Sequence, residues 1–231
     1  IIVEAAQRAS MLSHANVSQV LEVGQESEQG AVYIAMEFVN GLDLRRAIDI
    51  ARLSATPWPQ DLSIFIAAEV ANGLDYAHRR KDYDFNRLNI IHHALSPYNV
   101  MLSAEGEVKI MDFGIARALH LVPSLDQHDI LRRVLYAAPE VNQGHGASQL
   151  SDLYSLGLML YEMLTGFHPY MDQDVDEVDR RAQLGIVPPV TNYVQVPRPV
   201  ANVLESLLVA DPNGRVNSAG QIYEELVGYI F

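Results

Sequence analysis

Ile91-His-His-Ala-Leu-Ser-Pro-Tyr-Asn-Val-Met-Leu102, followed ten residues later by Asp112-Phe113-Gly114, is the stretch on which the reading of this chain turns. Residues 100–102 and 108–110 are short apolar runs on either side of the polar segment Ser103-Ala-Glu-Gly-Glu107, the pattern of a small hairpin. One loop precedes the hairpin and another follows it. The first holds Asn99 and the second Asp112. Ala94 sits in the first loop, and its methyl group cannot accept a proton.

Outward from this stretch the pattern is mostly helical. Residues 1–12 carry Ile2, Ala5, Ala6, Ala9 and Leu12 at helical spacing. Residues 17–23 and 31–39 are two strands joined by the polar turn 24–30. Asn40-Gly41 breaks the second strand, and a short helix follows over 42–53. Thr56-Pro-Trp-Pro59 is a rigid connector into a long helix over about 61–79, with Asp61 available as its cap and Ile66, Val70, Leu74 and Ala77 on one face. Residues 81–89 form a charged loop, and 115–136 an irregular stretch. Residues 151–164 are apolar nearly all round, which predicts a helix buried on all sides. Two more helices are expected over 200–209 and 218–230.

Composition narrows the function classes. The 231 residues are 49% hydrophobic and only 19% charged, which excludes a disordered chain. Sixteen basic residues against 29 acidic ones give a net charge of −13, so no nucleic acid is expected as partner, because binding to a phosphate backbone runs on basic patches. The absence of cysteine excludes a disulfide framework and a thiolate zinc site, and fits a cytoplasmic location. The most apolar helical stretch is far too short to span a bilayer. No signal peptide is visible, Glu4 and Arg8 interrupting the first apolar run. The chain opens inside an expected helix, as a piece of a longer protein would. His92 and His93 are adjacent on a loop and do not converge as a metal pair. Asp172-Gln-Asp-Val-Asp-Glu177 lacks the Gly and Glu of a calcium loop and is expected to be a solvated acidic loop, open to a basic partner.

Four motifs in order carry a family resemblance. His92, Leu95 and Asn99 keep the spacing of His-Arg-Asp-Leu-x-x-x-Asn, and Asp112-Phe113-Gly114 follows. Ala138-Pro139-Glu140 comes next, then Asp152-Leu-Tyr-Ser-Leu-Gly157 in the form Asp-x-Trp-Ser-x-Gly, with Arg215 beyond them. From about Glu4 onward the chain resembles a protein kinase domain of the bacterial Ser/Thr type. The resemblance implies an α+β fold: a truncated N-lobe over residues 1–39 (one helix and two or three strands) and a mostly helical C-lobe over 40–231. It also implies roles. Met36 would be the gatekeeper, Glu37 to Val39 would offer backbone groups to adenine, Asp43 would meet the ribose, and Met101 would floor the pocket. Asn99 and Asp112 would hold magnesium. Glu4 matches the helix Glu that pairs with a nucleotide-binding Lys, although the strand bearing that Lys and the Gly-rich loop are not in the sequence. His92, Glu140, Asp152 and Arg215 would be structural: His92 packing the loop, Arg215 pairing with Glu140, and Asp152 accepting N–H groups from the catalytic loop.

The departures from the family pattern cluster. Ala94 stands at the position of the catalytic base, Ser96 at that of the catalytic-loop Lys, and Arg133 at that of the threonine which would bond to both. His93 replaces the Arg that reads an activating phosphate, and between Phe113 and Ala137 only Ser124 and Tyr136 are phosphorylatable. The expectation is a pseudokinase, a scaffold or regulator acting on protein partners with little or no phosphoryl transfer. The alternatives are a true Ser/Thr kinase, seen as a fragment or with Ala94 introduced to remove activity, and an ATP-binding switch without catalysis. No cofactor is firmly expected, and ATP and magnesium depend on the missing strands being present in the native chain.

Overall fold

Helical spacing dominates the sequence, and the structure, a computed structural model describing residues 2–25, 32–54, 58–82, 84–115, 134–171 and 174–230, divides between helix and strand accordingly. Helix α1 (Ile2–Ala9) leads into an antiparallel pair, β1 (Val20–Gln25) and β2 (Val32–Met36), with Val20 opposite Met36 and Gln25 opposite Val32. Strand β3 (Gly41–Asp43) opens a second antiparallel sheet of order β3-β4-β5, completed by β4 (Val100–Ser103) and β5 (Val108–Ile110). Helices α2 (Leu44–Leu53), α3 (Gln60–Arg79), α4 (Pro139–Asn142), α5 (Gln149–Thr165), α6 (Val175–Leu184), α7 (Arg198–Leu207) and α8 (Ala219–Ile230) form the body.

Helix α5 is the axis of that body. Every residue from Ser151 to Met163 is buried, as its all-round apolar sequence requires. Ser148 and Ser151 close a reciprocal capping box at its start, and Gly166 in the left-handed region (φ 79°) ends it. Gly157 lets α7 close on it, since a Cβ there would lie 2.9 Å from that of Leu207. Helix α3 packs on α5 and α8, and its Ile66, Val70, Leu74 and Ala77 are all fully buried.

The structure corrects several boundaries. Residues 17–19 do not extend β1. The Ser18 N–H instead donates to the Ile110 carbonyl (2.9 Å) and the Ile110 N–H to that of Asn16 (2.8 Å), which stitches this segment to β5. Asp61 lies inside the first turn of α3, and the cap position belongs to Pro59, which offers no side-chain bond. Strand β3 was not expected: three residues show no alternation, and its signal is Gly41, where a Cβ would stand 1.9 Å from the Leu102 carbonyl oxygen. The acidic run read as a loop enters α6, because Asp174 caps that helix and Glu177 pairs with Arg180 (2.7 Å) and Arg181 (2.8 Å) one turn on. Most of the stretch expected to be irregular, including Ser124 and Arg133, lies outside the described residues. Among the described residues no helix is long and apolar enough to cross a membrane.

Candidate active site

The loop before β4 is hung from the first turn of α5. Asp152, 1% exposed, accepts the His92 N–H on Oδ2 (2.8 Å) and the His93 N–H on Oδ1 (3.1 Å), and His78 Nε2 reaches the same Oδ2 (2.9 Å). A carboxylate in the first turn of a helix is also favoured by the helix dipole, which offsets part of the cost of burying it. His92 is fully buried, and burial pushes its pKa down. As a neutral ring it donates Nε2–H to the Met111 carbonyl (2.8 Å), accepts the Ala94 N–H on Nδ1 (3.3 Å) and sets its edge against Phe113. Both of its nitrogens are engaged within the loops. Among the described residues no group of three or more His, Asp or Glu is placed to hold a metal ion.

Ala94 lies between these clamped histidines and Leu95, which is buried in the core. Two residues beyond it, the Ser96 hydroxyl donates to Asn99 Oδ1 (2.8 Å), and Asn99 Nδ2 donates to Asp112 Oδ2 (3.4 Å). The two loops are also joined through their backbones, the Met111 N–H donating to the Asn99 carbonyl (2.8 Å). His93 (φ 73°) and Asp112 (φ 59°) both adopt the left-handed region, which costs a non-glycine residue about 1–3 kcal/mol and persists only where the surroundings impose it. Asn99 and Asp112 thus bring an amide and a carboxylate together, with the amide nitrogen turned to Asp112 and its oxygen to Ser96, so the oxygen pair that suits a hard divalent cation would form only with the amide turned over. Ser96 occupies one lone pair of the Asn99 amide oxygen, which carries two.

The strand side of the site is organised by register. Met101 lies between Asp43 on β3 and Lys109 on β5. The buried Lys109 ammonium pairs with Glu37 Oε1 (2.8 Å), while Glu37 Oε2 accepts the Gln19 N–H (3.1 Å). Burial acts to raise the Glu37 pKa, but these two donors outweigh it and hold the carboxyl below its usual range. Met36 is half-buried, Val39 is buried, and Phe38 between them is 86% exposed. Asp43 caps α2, its Oδ1 accepting the Arg46 N–H (2.8 Å). Glu4 is exposed on α1. Met36, Glu37, Val39 and Asp43 therefore follow one another from β2 into β3, and Met101 stands opposite Asp43 on β4. Lys109 was missed as its anchor; a lysine inside the short apolar run Val108-Lys-Ile110 was the available signal.

Two buried charge clusters support the loops from below. Arg215 makes a two-pronged pair with Glu140 (2.8 and 3.0 Å). The second cluster had no sequence signal: Arg45 of α2 reaches Glu162 of α5 (2.6 Å), whose other oxygen accepts the Tyr136 hydroxyl. Burial alone would lower the Arg45 pKa, yet the Glu162 charge overcomes it and raises it. Burial, and then Glu162, drive the Tyr136 pKa well up. Tyr136 is thereby a buried strut, closed to a modifying enzyme in this conformation.

The family model described as protein kinase domain matches residues 2–226. The chain is similar to the serine/threonine-protein kinase PknB of Mycobacterium leprae, at 32% identity over 226 residues, 96% of this chain and 34% of that protein. It is also similar to the serine/threonine-protein kinase PrkC of Bacillus subtilis, at 28% over 215 residues, 93% of this chain and 31% of that protein. The tyrosine-protein kinase MasK of Myxococcus xanthus matches at 27% over 226 residues, 97% of this chain and 35% of that protein. The chain spans about a third of the length of these curated relatives.

Proposed function

This chain belongs to the protein kinase domain family, in the company of bacterial Ser/Thr kinases, and from that premise we propose that it works as a pseudokinase. Its role in this reading is that of a cytoplasmic scaffold or allosteric regulator that acts through protein contacts, with residues 1–39 as a partial N-lobe and 40–231 as the C-lobe. The observation that carries the proposal is Ala94: the backbone that should aim a base is held by Asp152, His92 and His93, and the side chain at its tip is a methyl group. A positioned base contributes roughly 10²–10⁴-fold in rate, or about 3–5 kcal/mol of barrier. Ser96 deepens the loss, because its hydroxyl is turned onto Asn99 and carries no charge to offset a transferring phosphoryl group.

The residues that remain are a binding frame. Asn99 and Asp112 would hold a magnesium ion, and Met36, Val39, Asp43 and Met101 would surround a nucleotide, with Glu37 fixed by Lys109. Bound ATP with its ion would supply the transferable phosphoryl group. Among the described residues, the groups named here orient or bind, and the position of the base holds the methyl group of Ala94, which cannot take the proton of an attacking hydroxyl.

The adjacency of Asn99 and Asp112, with Asp112 kept in its left-handed conformation, favours a second reading in which nucleotide binding persists. That reading covers an ATP-binding switch without catalysis and, at its limit, an active Ser/Thr kinase. One experiment separates the three. Purified protein is incubated with labelled ATP and magnesium beside an Asp112→Ala control, and its melting is followed with and without the nucleotide. The pseudokinase gives no label above the control. A melting shift without label marks the switch, and label that vanishes in the control marks an enzyme.

A further inference from the structure

The loop that leads from α3 to the catalytic segment is built as a knob. Leu88 N–H donates to the Arg80 carbonyl (2.9 Å) and Asp82 N–H to that of Asn86 (3.0 Å), while Asp82 Oδ1 accepts the N–H groups of Asp84 and Asn86 (2.9 Å each). This closed turn holds Phe85 at φ 62° and 80% exposure. The same loop and its root carry Arg79, Arg80, Lys81 and Arg87, all exposed, four of the 16 basic residues in a chain of net charge −13. Arg79 is shared with Asp75 and Arg80 lies over the Tyr76 ring, while Lys81 and Arg87 face each other across the turn. Of the loop's own carboxylates, Asp82 is consumed in the turn and Asp84 is exposed.

A matching socket lies elsewhere on the same chain. A cavity of about 240 Å³ opens between α5 and α7, walled by Tyr161, Val187, Pro188, Val190, Leu204 and Leu208, and Glu205 lines it and is exposed. The knob cannot reach it within one molecule. Gln149, at the start of α5, binds the His78 carbonyl (2.9 Å) beside the root of the loop, and Tyr161 lies twelve residues further along the helix, about 18 Å at 1.5 Å per residue.

We propose that a second copy of this chain is the occupant: Phe85 of one molecule seats in the α5–α7 cavity of the next, with Lys81 and Arg87 meeting Glu205. An aromatic knob on a loop that also carries the exposed Lys81 and Arg87 complements an apolar socket edged by a carboxylate, and two different patches make the contact heterologous, able to repeat head to tail. The area is small, so the association is weak, concentration-dependent and weakened by salt. This surface is independent of whether the site transfers phosphate.

Sedimentation velocity of the purified chain over a concentration series, at low and high salt, tests it. Wild type should associate, and Phe85→Ala and Glu205→Arg, both at exposed positions, should each do so at least about 30-fold more weakly, as loss of a buried aromatic anchor implies. Mixing the two variants should restore a complex that stops at the pair, because each retains the half that the other has lost. A wild type monomeric throughout, association unchanged by Phe85→Ala, or a mixture that fails to pair would overturn the proposal.

Discussion

Replacing Arg215 with alanine removes five hydrogen bonds at one stroke. The guanidinium gives two to Glu140 (2.8 and 3.0 Å) and one each to the carbonyls of Leu150 (2.8 Å), Val209 (3.0 Å) and Ala210 (3.1 Å), with its Cζ 4.7 Å from the centroid of the Tyr154 ring. The Arg215 side chain is fully buried and that of Glu140 is 12% exposed, so water cannot take over the whole task. Stranding one member of a buried pair costs roughly 3–5 kcal/mol. For a chain of this size each kcal/mol moves the melting temperature by about 2–4 °C, so Arg215→Ala should melt about 6–20 °C below wild type. Urea unfolding followed by circular dichroism gives the free energy directly. Adding Glu140→Gln should recover part of the loss, since the stranded charge is gone even though the carbonyls remain unpaired. A melting point within about 2 °C of wild type, or a double variant no better than Arg215→Ala, would refute the view that this pair anchors the fold.

Burial pulls the pKa of His168 down to about 4, so the unfolded side chain takes up its proton first as pH falls. Stability that is fully present above about pH 6.5 should therefore be lost between there and about pH 4, by roughly 3 kcal/mol. His168→Asn, which can still accept the Tyr170 N–H, should flatten that part of the urea-midpoint profile; parallel profiles would count against it. Gly41→Ala drives a methyl into the Leu102 carbonyl and should part β3 from β4, at about 1–3 kcal/mol. Since Asp43 and Met101 face each other across that ladder, any nucleotide-induced melting shift should shrink with it, and an undiminished shift would show that the register does not matter.

What could be read in the sequence was local or motif-borne. The buried axis α5 announced itself by composition, and the placements of Asp152, Arg215 and Glu140 followed from motifs whose partners are fixed by the family's architecture. What could not be read depended on long-range register. Lys109 meets Glu37 only after β5 has paired with β4, and Arg45 meets Glu162 across 117 residues with nothing local to mark either as buried. Strand β3 is too short for alternation to register, and only the close approach at Gly41 betrays it. Helix α6 was hidden by its acidity, since charged pairs one turn apart hold its first turns in place of an apolar stripe.

Ala94 is the point on which the account rests, and the most direct measurement is the rate of phosphoryl transfer by wild type and by Ala94→Asp, with Asp112→Ala as the blank. If the base has been lost from an intact frame, wild type lies at the blank and the variant at or above it. A wild-type rate clearly above the blank would contradict the account, and one equal to that of Ala94→Asp would show in addition that the missing carboxylate does nothing.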